Sequence, residues 1–373
     1  MNEDKATRYH RLQRRLRVLA ALWTGLLLAG LVWSGANLPL GALAESIAAQ
    51  VSADRWLPTT TVLAYVLLLS LLHEAVALPL AFYSGYVVER RYALSNETIG
   101  SWAVDQAKSF GIGVLLAGAA ASLVYALIRV FPNWWWAAAG GLFALCIIGL
   151  THLAPVLILP LFYRVKPLER DTLRARLLAL ADRAGAQVLG AYEWGLAEKT
   201  TRANAALAGV GGTRRILVSD TMLAEYSDEE IEVVLAHELA HHVHGDIWKG
   251  IAFESALVLA GFFVASTVLA RLTDRFGLQS PADPAGLPLV ALAAGVVSLL
   301  AVPVAHAISR GYERSADRFA LNLTNNPSAF ISAMRRLGAQ NLAEEHPSKL
   351  VQWLFYSHPP MRERIASAQT RQR

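Results

Sequence analysis

Six long apolar runs constrain the fold of this chain more than any other feature of its sequence. They cover roughly residues 18–35, 57–82, 109–128, 134–163, 251–270 and 286–307. About 20 consecutive apolar residues suffice for a helix to cross the hydrocarbon core of a bilayer. With 54% apolar and only 17% charged residues over 373 positions, the composition also fits an integral membrane protein. We therefore predict a mainly α-helical, polytopic membrane protein with about six spans.

Basic residues mark one end of the predicted spans. Five arginines precede the first run, and basic residues flank the later runs at Arg90, Arg91, Arg164, Lys249 and Arg310. Because Lys and Arg concentrate in cytoplasmic loops, this pattern predicts that the amino end and the polar section after the fourth run face the cytoplasm. The first run lacks a convincing cleavage site, so we expect it to be retained as a span. Short loops and an Ala-, Arg- and Leu-rich composition favour a bacterial inner membrane.

The polar section between the fourth and fifth runs has the pattern of a small α+β unit. Helical periodicity covers 173–184, and residues 188–194 and 215–219 have the composition of short strands. A third strand is predicted at 204–210, ending at Gly211–Gly212. We therefore divide the chain into an amino-terminal membrane domain, 1–163, with four spans, and a second domain, 164–373, with two further spans and a polar tail.

Within this section, the stretch IEVVLAHELAHHVHGD has the pattern of a metal-binding helix. Ser227 and Glu230 form a predicted capping box at its start. His237 and His241 are four residues apart and so lie on one helical face, where two imidazoles can bind one zinc ion. Glu238 falls beside the open metal position, where a carboxylate can take a proton from zinc-bound water. The alternative is a polar helix face that carries histidines by chance.

A catalytic zinc site needs a third protein ligand besides the two histidines. His242 and His244 project from other faces of the same helix, so a residue from elsewhere in the chain is favoured. After the sixth apolar run, Glu313 and Asp317 stand four residues apart on one helical face. If the sixth span continues as a helix beyond the membrane, Glu313 reaches the metal and Asp317 accepts an N–H from a ligating histidine. A solvated helix face is the alternative for this pair taken alone.

Ionisable residues also occur inside two of the predicted spans. His73 and Glu74 lie in the second span and Glu254 in the fifth. Charge in hydrocarbon is costly, so such groups usually face the interior of a bundle or a wet cavity. One hypothesis is an aqueous chamber lined partly by these groups. The other is that Glu254 reaches the inner interface, or that the carboxyls are protonated.

Together these segments resemble the type I CaaX prenyl endopeptidase family of integral-membrane zinc metalloproteases. The resemblance covers most of the chain: RYALSNETIGSWAVDQAK after the second span, ILPLFYRVKPL at the end of the fourth, NAALAG and RRILVSDTML before the metal helix, and WLFYSHPPMRERI near the carboxyl terminus. An HExxH pattern alone is moderately specific, whereas these segments in this order are highly specific. The resemblance implies a helical membrane barrel that encloses a large chamber and carries a cytoplasmic α+β zinc-metalloprotease domain.

The resemblance also implies the members of the metal site. One Zn²⁺ per chain would be bound by His237, His241 and Glu313, with Asp317 supporting a ligand. Glu238 would be the base that activates water and then carries a proton to the leaving amine. Hydrolysis of this kind needs no organic cofactor.

Three further residues match positions that lie near the substrate in this family. Asn204 lies where the family has an edge strand that pairs with an extended peptide. His358 and Arg364 match polar residues that steady the developing oxyanion, although a turn cap or an ordinary ion pair would also explain them.

The chain departs from the family in two ways. It has six predicted spans where eukaryotic members have seven, and Thr201 and Ala203 replace serines before Asn204.

The function expected from the sequence is zinc-dependent cleavage of peptide bonds at the cytoplasmic side of the membrane, in the manner of CaaX prenyl proteases. Two alternatives stay open: a quality-control protease for membrane proteins without prenyl specificity, and a catalytically silent membrane scaffold. Intramembrane proteolysis of the site-two type is disfavoured because acidic residues surround the HExxH segment. The expected partners are a peptide or membrane-protein substrate, prenylated or not, and the lipid bilayer. Nucleic acid is not expected, because the net charge of +5 is not gathered into a basic domain.

Overall fold

A computed structural model of the protein describes residues 4–209 and 214–371. The helices in these residues are, in chain order, α1 (Lys5–Ser34), α2 (Asn37–Val51), α3 (Leu57–Ala81), α4 (Glu89–Arg91), α5 (Ile99–Val130), α6 (Trp135–Leu157), α7 (Leu159–Phe162), α8 (Asp171–Arg183), α9 (Asp220–Glu225), α10 (Asp228–Val243), α11 (Asp246–Leu272), α12 (Leu287–Thr324), α13 (Pro327–Gln340), α14 (Lys349–Phe355) and α15 (Met361–Gln369). The strands are β1 (Val165–Pro167), β2 (Gly190–Trp194), β3 (Ala205–Ala208) and β4 (Arg215–Ser219).

Six helices of the described residues are long and apolar enough to cross a membrane. They are α1, the continuous segment from α3 to α4, α5, α6, α11 and α12. Most of the apolar surface of each lies outside the packed core, as expected of helices that face lipid or an internal cavity. The prediction of a mainly helical, polytopic membrane fold is confirmed.

Two details of the membrane region refine the prediction of six spans. The fourth apolar run breaks at Ile158, between α6 and α7 and two residues ahead of Pro160. The loop after the first span contains the 15-residue helix α2, which packs against α3 and fully buries Ala44 and Ala48. Small side chains allow helices to approach closely, so α2 is part of the bundle.

A four-stranded sheet of order β1-β2-β4-β3 lies beside α10, the helix that carries His237 and His241. The central pair β2–β4 is parallel, and the outer strands β1 and β3 pair antiparallel to their neighbours. The predicted strand at 215–219 is confirmed as β4, and the one at 188–194 begins two residues later, at Gly190. The third predicted strand is β3, and Val210 and Gly211–Gly212 lie outside the described residues.

One hydrophobic core joins this sheet to α8, α10, α13 and α15. Ile216 of the sheet, Ile231 and Leu235 of α10, and Phe330 of α13 are all fully buried in it. A second core lies in the membrane bundle and contains Tyr65, on α3. Because α10 packs against the sheet on one face and against α12 and α13 on others, its position relative to α12 is fixed.

Candidate metal centre

The start of α10 is held by the predicted capping box. Ser227 Oγ accepts a hydrogen bond from the Glu230 backbone N–H at 3.3 Å, and Glu230 Oε2 accepts one from the Ser227 N–H at 2.9 Å. Glu230 Oε1 also accepts a hydrogen bond from Arg336 Nε of α13 at 3.0 Å. The capping box satisfies the backbone N–H groups of Ser227 and Glu230, and the three contacts together hold the start of the helix that carries His237 and His241.

Helix α12 continues 38 residues without interruption, so its last third leaves the apolar section and packs against α10. Glu313 and Asp317 are both buried on the face of α12 that meets α10, at 5% and 3% exposure. The prediction that the sixth span continues as a helix to Glu313 is therefore confirmed. The chain thus brings two segments 70 to 80 residues apart into one cluster.

His237, His241 and Glu313 converge so that one potential ligand atom from each lies within 4.8 Å of the others. The two Nε2 atoms are 3.3 Å apart. Glu313 Oε2 lies 3.2 Å from His237 Nε2, and Glu313 Oε1 lies 3.4 Å from His241 Nε2. Two imidazole nitrogens and one carboxylate oxygen at these separations form a donor set that suits a divalent metal with one open position.

The other nitrogen of each imidazole faces a carboxylate. His237 Nδ1 lies 2.9 Å from Asp317 Oδ1, and His241 Nδ1 lies 3.0 Å from Asp246 Oδ2. A proton on each Nδ1 satisfies these contacts and leaves both Nε2 lone pairs directed at the centre of the cluster. Asp246 was missed from the sequence. The sequence feature that could have indicated Asp246 is local. Gly245, with φ of +67°, follows the end of α10 in the left-handed conformation, and the side chain of the next residue, Asp246, lies against His241.

Arg364 supports the same region from α15. Its Nε donates to Asp317 Oδ2 at 2.9 Å and its Nη2 to Asp317 Oδ1 at 2.6 Å, and both side chains are buried. Arg364 Nη2 lies 3.3 Å from His237 Nδ1, since both donors share one carboxylate oxygen. The neighbouring Glu363 pairs instead with Arg314, at 2.6 Å.

The electrostatics of the cluster follow from this geometry. Burial lowers the pKa of His237, but its contacts with the carboxylates of Asp317 and Glu313 outweigh burial and raise that pKa to about 9 in the absence of a metal. Burial raises the pKa of Glu238, and the positive charge of His237 and His241 offsets this only in part. A carboxyl whose pKa is raised toward neutrality is suited to accept and return a proton.

The remaining predicted residues are placed as follows. His358 Nε2 lies 3.2 Å from Glu313 Oε1, with 60% of the His358 side chain exposed. Asn204 is exposed and directly precedes β3, where its backbone N–H donates to Ser219 Oγ at 2.9 Å. His242 and His244 do not join the cluster; the ring of His244 packs on Phe319, with centroids 5.4 Å apart.

One buried oxygen of the cluster lacks a hydrogen-bond donor when both histidines carry their proton on Nδ1. Glu313 Oε2 is inaccessible to solvent, and the polar atom that faces it is His237 Nε2 at 3.2 Å, which has no proton to donate when the proton is on Nδ1. Leaving a buried carboxylate oxygen unsatisfied costs about 1–3 kcal/mol. A cation bound between this oxygen and the two Nε2 atoms would satisfy it, so the residues present fit a metal ion.

The ionisable groups of the spans lie apart from this cluster. Gln106 Nε2 donates to Glu74 Oε1 at 3.0 Å, and His73 Nε2 lies 3.0 Å from Thr24 Oγ1. His73, Glu74 and Gln106 line a cavity of about 420 Å³, while Glu254 is exposed. The chamber-lining role of these groups stays a prediction.

Comparison with known proteins gives the family. Residues 167–372 match the model of Peptidase family M48, and residues 2–164 match that of the CAAX prenyl protease N-terminal region with five membrane helices. The described residues before 164 contain four helices of spanning length and the shorter helix α2.

Similar proteins cover most of the chain. The uncharacterized metalloprotease YhfN of Bacillus subtilis is 35% identical over 309 residues, which are 82% of this chain and 72% of that protein. CAAX prenyl protease 1 of Saccharomyces cerevisiae is 28% identical over 324 residues, or 82% and 71% of the two chains. The fold is that of the crystal structure of S. mikatae Ste24p, with a TM-score of 0.84 at 23% identity, covering 98% of this chain and 87% of that one. The chain therefore belongs to peptidase family M48 and is a multi-pass integral-membrane metalloprotease.

Proposed function

We propose that the protein is a zinc-dependent membrane endopeptidase in which His237, His241 and Glu313 bind one zinc ion and Glu238 is the general base. The observation that carries this proposal is the convergence, within 4.8 Å, of two Nε2 atoms from α10 and one buried carboxylate from α12, because α10 also bears Glu238. Zinc is favoured over harder cations because imidazole nitrogens make up two of the three donors. The intact base argues against a silent scaffold.

When bound, the zinc ion supplies Lewis-acid polarisation of the scissile carbonyl and makes a water molecule more acidic. Glu238 takes the proton of the attacking water, whose oxygen forms a bond to the carbonyl carbon. The same carboxyl then gives that proton to the leaving nitrogen as the C–N bond breaks. His358, which lies 3.2 Å from Glu313 and is exposed, is the residue we assign to hydrogen bonding with the developing oxyanion.

Arg364 has a supporting role in this proposal. Its guanidinium is engaged by both oxygens of Asp317, which in turn accepts the Nδ1 proton of His237. This arrangement favours a role in orienting a metal ligand, with Asp317 as the intermediary. The direct contact with an oxyanion that the family resemblance implies for Arg364 stays a prediction.

The open edge of β3 supports a peptide substrate bound in extended form. Within the described residues β3 pairs only with β4, and it lies alongside α10. Main-chain hydrogen bonds from an added strand would align a scissile amide whatever its side chains. Asn204, at the start of this edge, is then the residue we assign to substrate binding.

We assign the active site to the cytoplasmic side. The first turns of α1 contact the carboxyl-terminal half of the chain, since His10 Nε2 lies 2.7 Å from the Leu342 carbonyl oxygen. The amino end and the metal cluster therefore share one side of the span region. The arginines ahead of the first apolar run favour the cytoplasm for that side, and a bacterial inner membrane is the setting we propose.

The test uses purified protein in detergent with three substrates: a farnesylated CaaX peptide, the same peptide without the lipid, and an unfolded membrane protein. We expect the wild type, with about one zinc per chain, to cleave at least one of them. Glu238→Gln should bind the same amount of zinc and lose cleavage by at least about 10³-fold, since both proton transfers depend on the carboxylate. Glu225→Gln, an exposed change on the preceding helix, is the matched control.

The pattern of substrates then separates the remaining alternatives. Preference for the farnesylated peptide would assign the CaaX prenyl protease activity, and cleavage of the unfolded protein without lipid preference would assign quality control. A Glu238→Gln variant that cleaves as fast as Glu225→Gln would overturn the assigned base. A zinc-loaded wild type that cleaves none of the three would favour the scaffold.

A further inference from the structure

The first turns of α1 carry polar side chains that are buried or half-buried against the proteolytic half of the chain. Tyr9 is 4% exposed and the Arg14 side chain is 16% exposed, although both precede the first apolar run. Arg15, the next residue, is exposed. A basic residue needed only for membrane topology gains nothing from burial, since desolvating a charge is costly unless it is paired. The burial of Arg14 therefore calls for a separate explanation.

Arg14 joins two residues that lie more than 300 positions later. Its Nη1 donates to Glu344 Oε2 at 2.5 Å and to the Tyr356 hydroxyl at 3.0 Å. The Tyr356 hydroxyl donates to the same Glu344 oxygen at 2.5 Å, and Glu344 is only 7% exposed. One turn earlier on α1, the ring of His10 lies 5.9 Å from the ring of Tyr356. Charge-assisted hydrogen bonds of this kind hold their partners in a defined geometry.

Tyr356 is hydrogen-bonded through both its hydroxyl and its backbone carbonyl, and it lies two residues before His358. Its carbonyl oxygen accepts a hydrogen bond from Arg310 Nη1 at 2.7 Å, three residues before Glu313 on α12. Two residues after Tyr356, His358 Nε2 lies 3.2 Å from Glu313 Oε1. The loop that carries His358 is therefore fixed between α12, which bears a candidate ligand, and the amino-terminal turns of α1.

A second contact joins α1 to the segment before the edge strand. The Tyr9 hydroxyl donates to Glu89 Oε1 at 2.5 Å, and Arg202 Nη2 donates to Glu89 Oε2 at 2.8 Å and to the Tyr9 hydroxyl at 2.6 Å. Arg202 lies two residues before Asn204. The start of α1 thus contacts both segments that flank the metal cluster.

We propose that Arg14, Glu344 and Tyr356 are positioning residues, and that their contacts hold His358 over the metal cluster. This inference rests on the proposed function, because it requires His358 to act on the substrate. The basic amino-terminal segment has the sequence pattern of a topology signal. The proposal gives it a second role, in substrate turnover. Arg14 and its two partners touch neither the candidate ligands nor Glu238, so they act through the loop.

The first measurement compares Arg14→Ala with Arg15→Ala in full-length protein. Both changes remove one positive charge from the same segment, so both alter membrane topology signals equally. We expect Arg14→Ala to lower kcat roughly tenfold, a part of the 10²–10³ that loss of an oxyanion donor costs, with KM and zinc content unchanged. Arg15→Ala should match the wild type. Tyr356→Phe removes only the hydroxyl and should lower kcat as Arg14→Ala does. Agreement between the two variants would argue against misfolding as the cause of the loss.

The second measurement is a double-mutant cycle with His358→Ala. If Arg14 acts through His358, Arg14→Ala should change kcat less than about twofold once His358 is absent. A loss that persists undiminished in the His358→Ala background would show a general structural effect and overturn the proposal. Equal turnover of Arg14→Ala, Tyr356→Phe and Arg15→Ala would overturn it as well.

These outcomes are distinguishable from failure of the proposed function. If the wild type cleaves and Glu238→Gln does not, the endopeptidase assignment stands whatever the Arg14 variants do. If Glu238→Gln cleaves like the wild type, the assigned base fails, while the coupling between Arg14 and His358 can still be measured in the same assay.

Discussion

Arg364 and Asp317 form a bidentate ion pair directly behind His237, with N–O distances of 2.9 and 2.6 Å. The two residues come from different helices, α15 and α12, and both are buried, at 7% and 3% exposure. Burial of the pair is compensated because the carboxylate also accepts from His237 Nδ1. The pair therefore links the carboxyl-terminal helix to the metal helix through a single shared acid.

Arg364→Ala should destabilise the protein strongly. Removing one partner of a buried ion pair leaves the other charge uncompensated, which typically costs about 3–5 kcal/mol. We expect a loss of that order in the free energy of unfolding, measured by chemical denaturation in detergent. Arg362→Ala, an exposed change two residues away on the same helix, is the control. Equal stability of the two variants would contradict a stabilising role for the pair.

Asp246→Ala should weaken metal binding while leaving the three candidate ligands in place. Asp246 Oδ2 lies 3.0 Å from His241 Nδ1, and loss of such an acceptor usually costs about 10–100-fold in metal affinity. We expect a change of that size in a zinc-buffer titration. Asp246→Asn should recover part of it, since an amide oxygen can accept the same proton. The control is Asp274→Ala, an exposed change beyond the other end of α11, which should bind zinc like the wild type. Equal zinc affinity of Asp246→Ala and Asp274→Ala would show that the contact between Asp246 and His241 does not support metal binding.

Gly140→Val should loosen the membrane bundle where α6 crosses α11. A Cβ at Gly140 would overlap Leu259 Cδ1 and come within 3.3 Å of Leu259 Cα, so the Leu259 side chain and the backbone of α11 would both have to shift. Overpacking of this kind costs about 1–3 kcal/mol. At the adjacent Gly141 an added Cβ meets nothing within 4 Å, so Gly141→Val is the matched control. In thermal unfolding in detergent, the midpoint temperature should be lower for Gly140→Val and unchanged for Gly141→Val. Equal midpoint temperatures for the two variants would contradict close packing at this crossing.

Features that depend on local spacing could be predicted from the sequence. The capping box of Ser227 and Glu230 and the shared face of His237 and His241 follow from helical periodicity, which acts over three or four residues. The extension of the sixth span to Glu313 followed from the same periodicity. Strand β4 was predictable because it is short, apolar and bounded by turn residues.

Features that depend on contacts between distant segments could not be predicted. Strand β1 has three residues, one of them proline, so only pairing with β2 defines it. The pairing of Arg14 with Glu344 joins residues 330 positions apart, and no local pattern indicates it. Asp246 is only five residues from His241, but their contact depends on the left-handed turn at Gly245 and not on helical periodicity, so it was missed as well.

Helix α12 runs unbroken from Leu287 to Thr324 and carries Glu313 26 residues from its start, which is about 39 Å at 1.5 Å per residue. A tilt of about 5° about its first residue would move the Glu313 carboxylate by roughly 3 Å, more than the length of a zinc–oxygen bond of about 2.0–2.2 Å. Helices adjust their tilt to the thickness of the surrounding hydrocarbon. We therefore expect the lipid composition of the host membrane to affect the metal affinity of a site that takes one candidate ligand, Glu313, from this span.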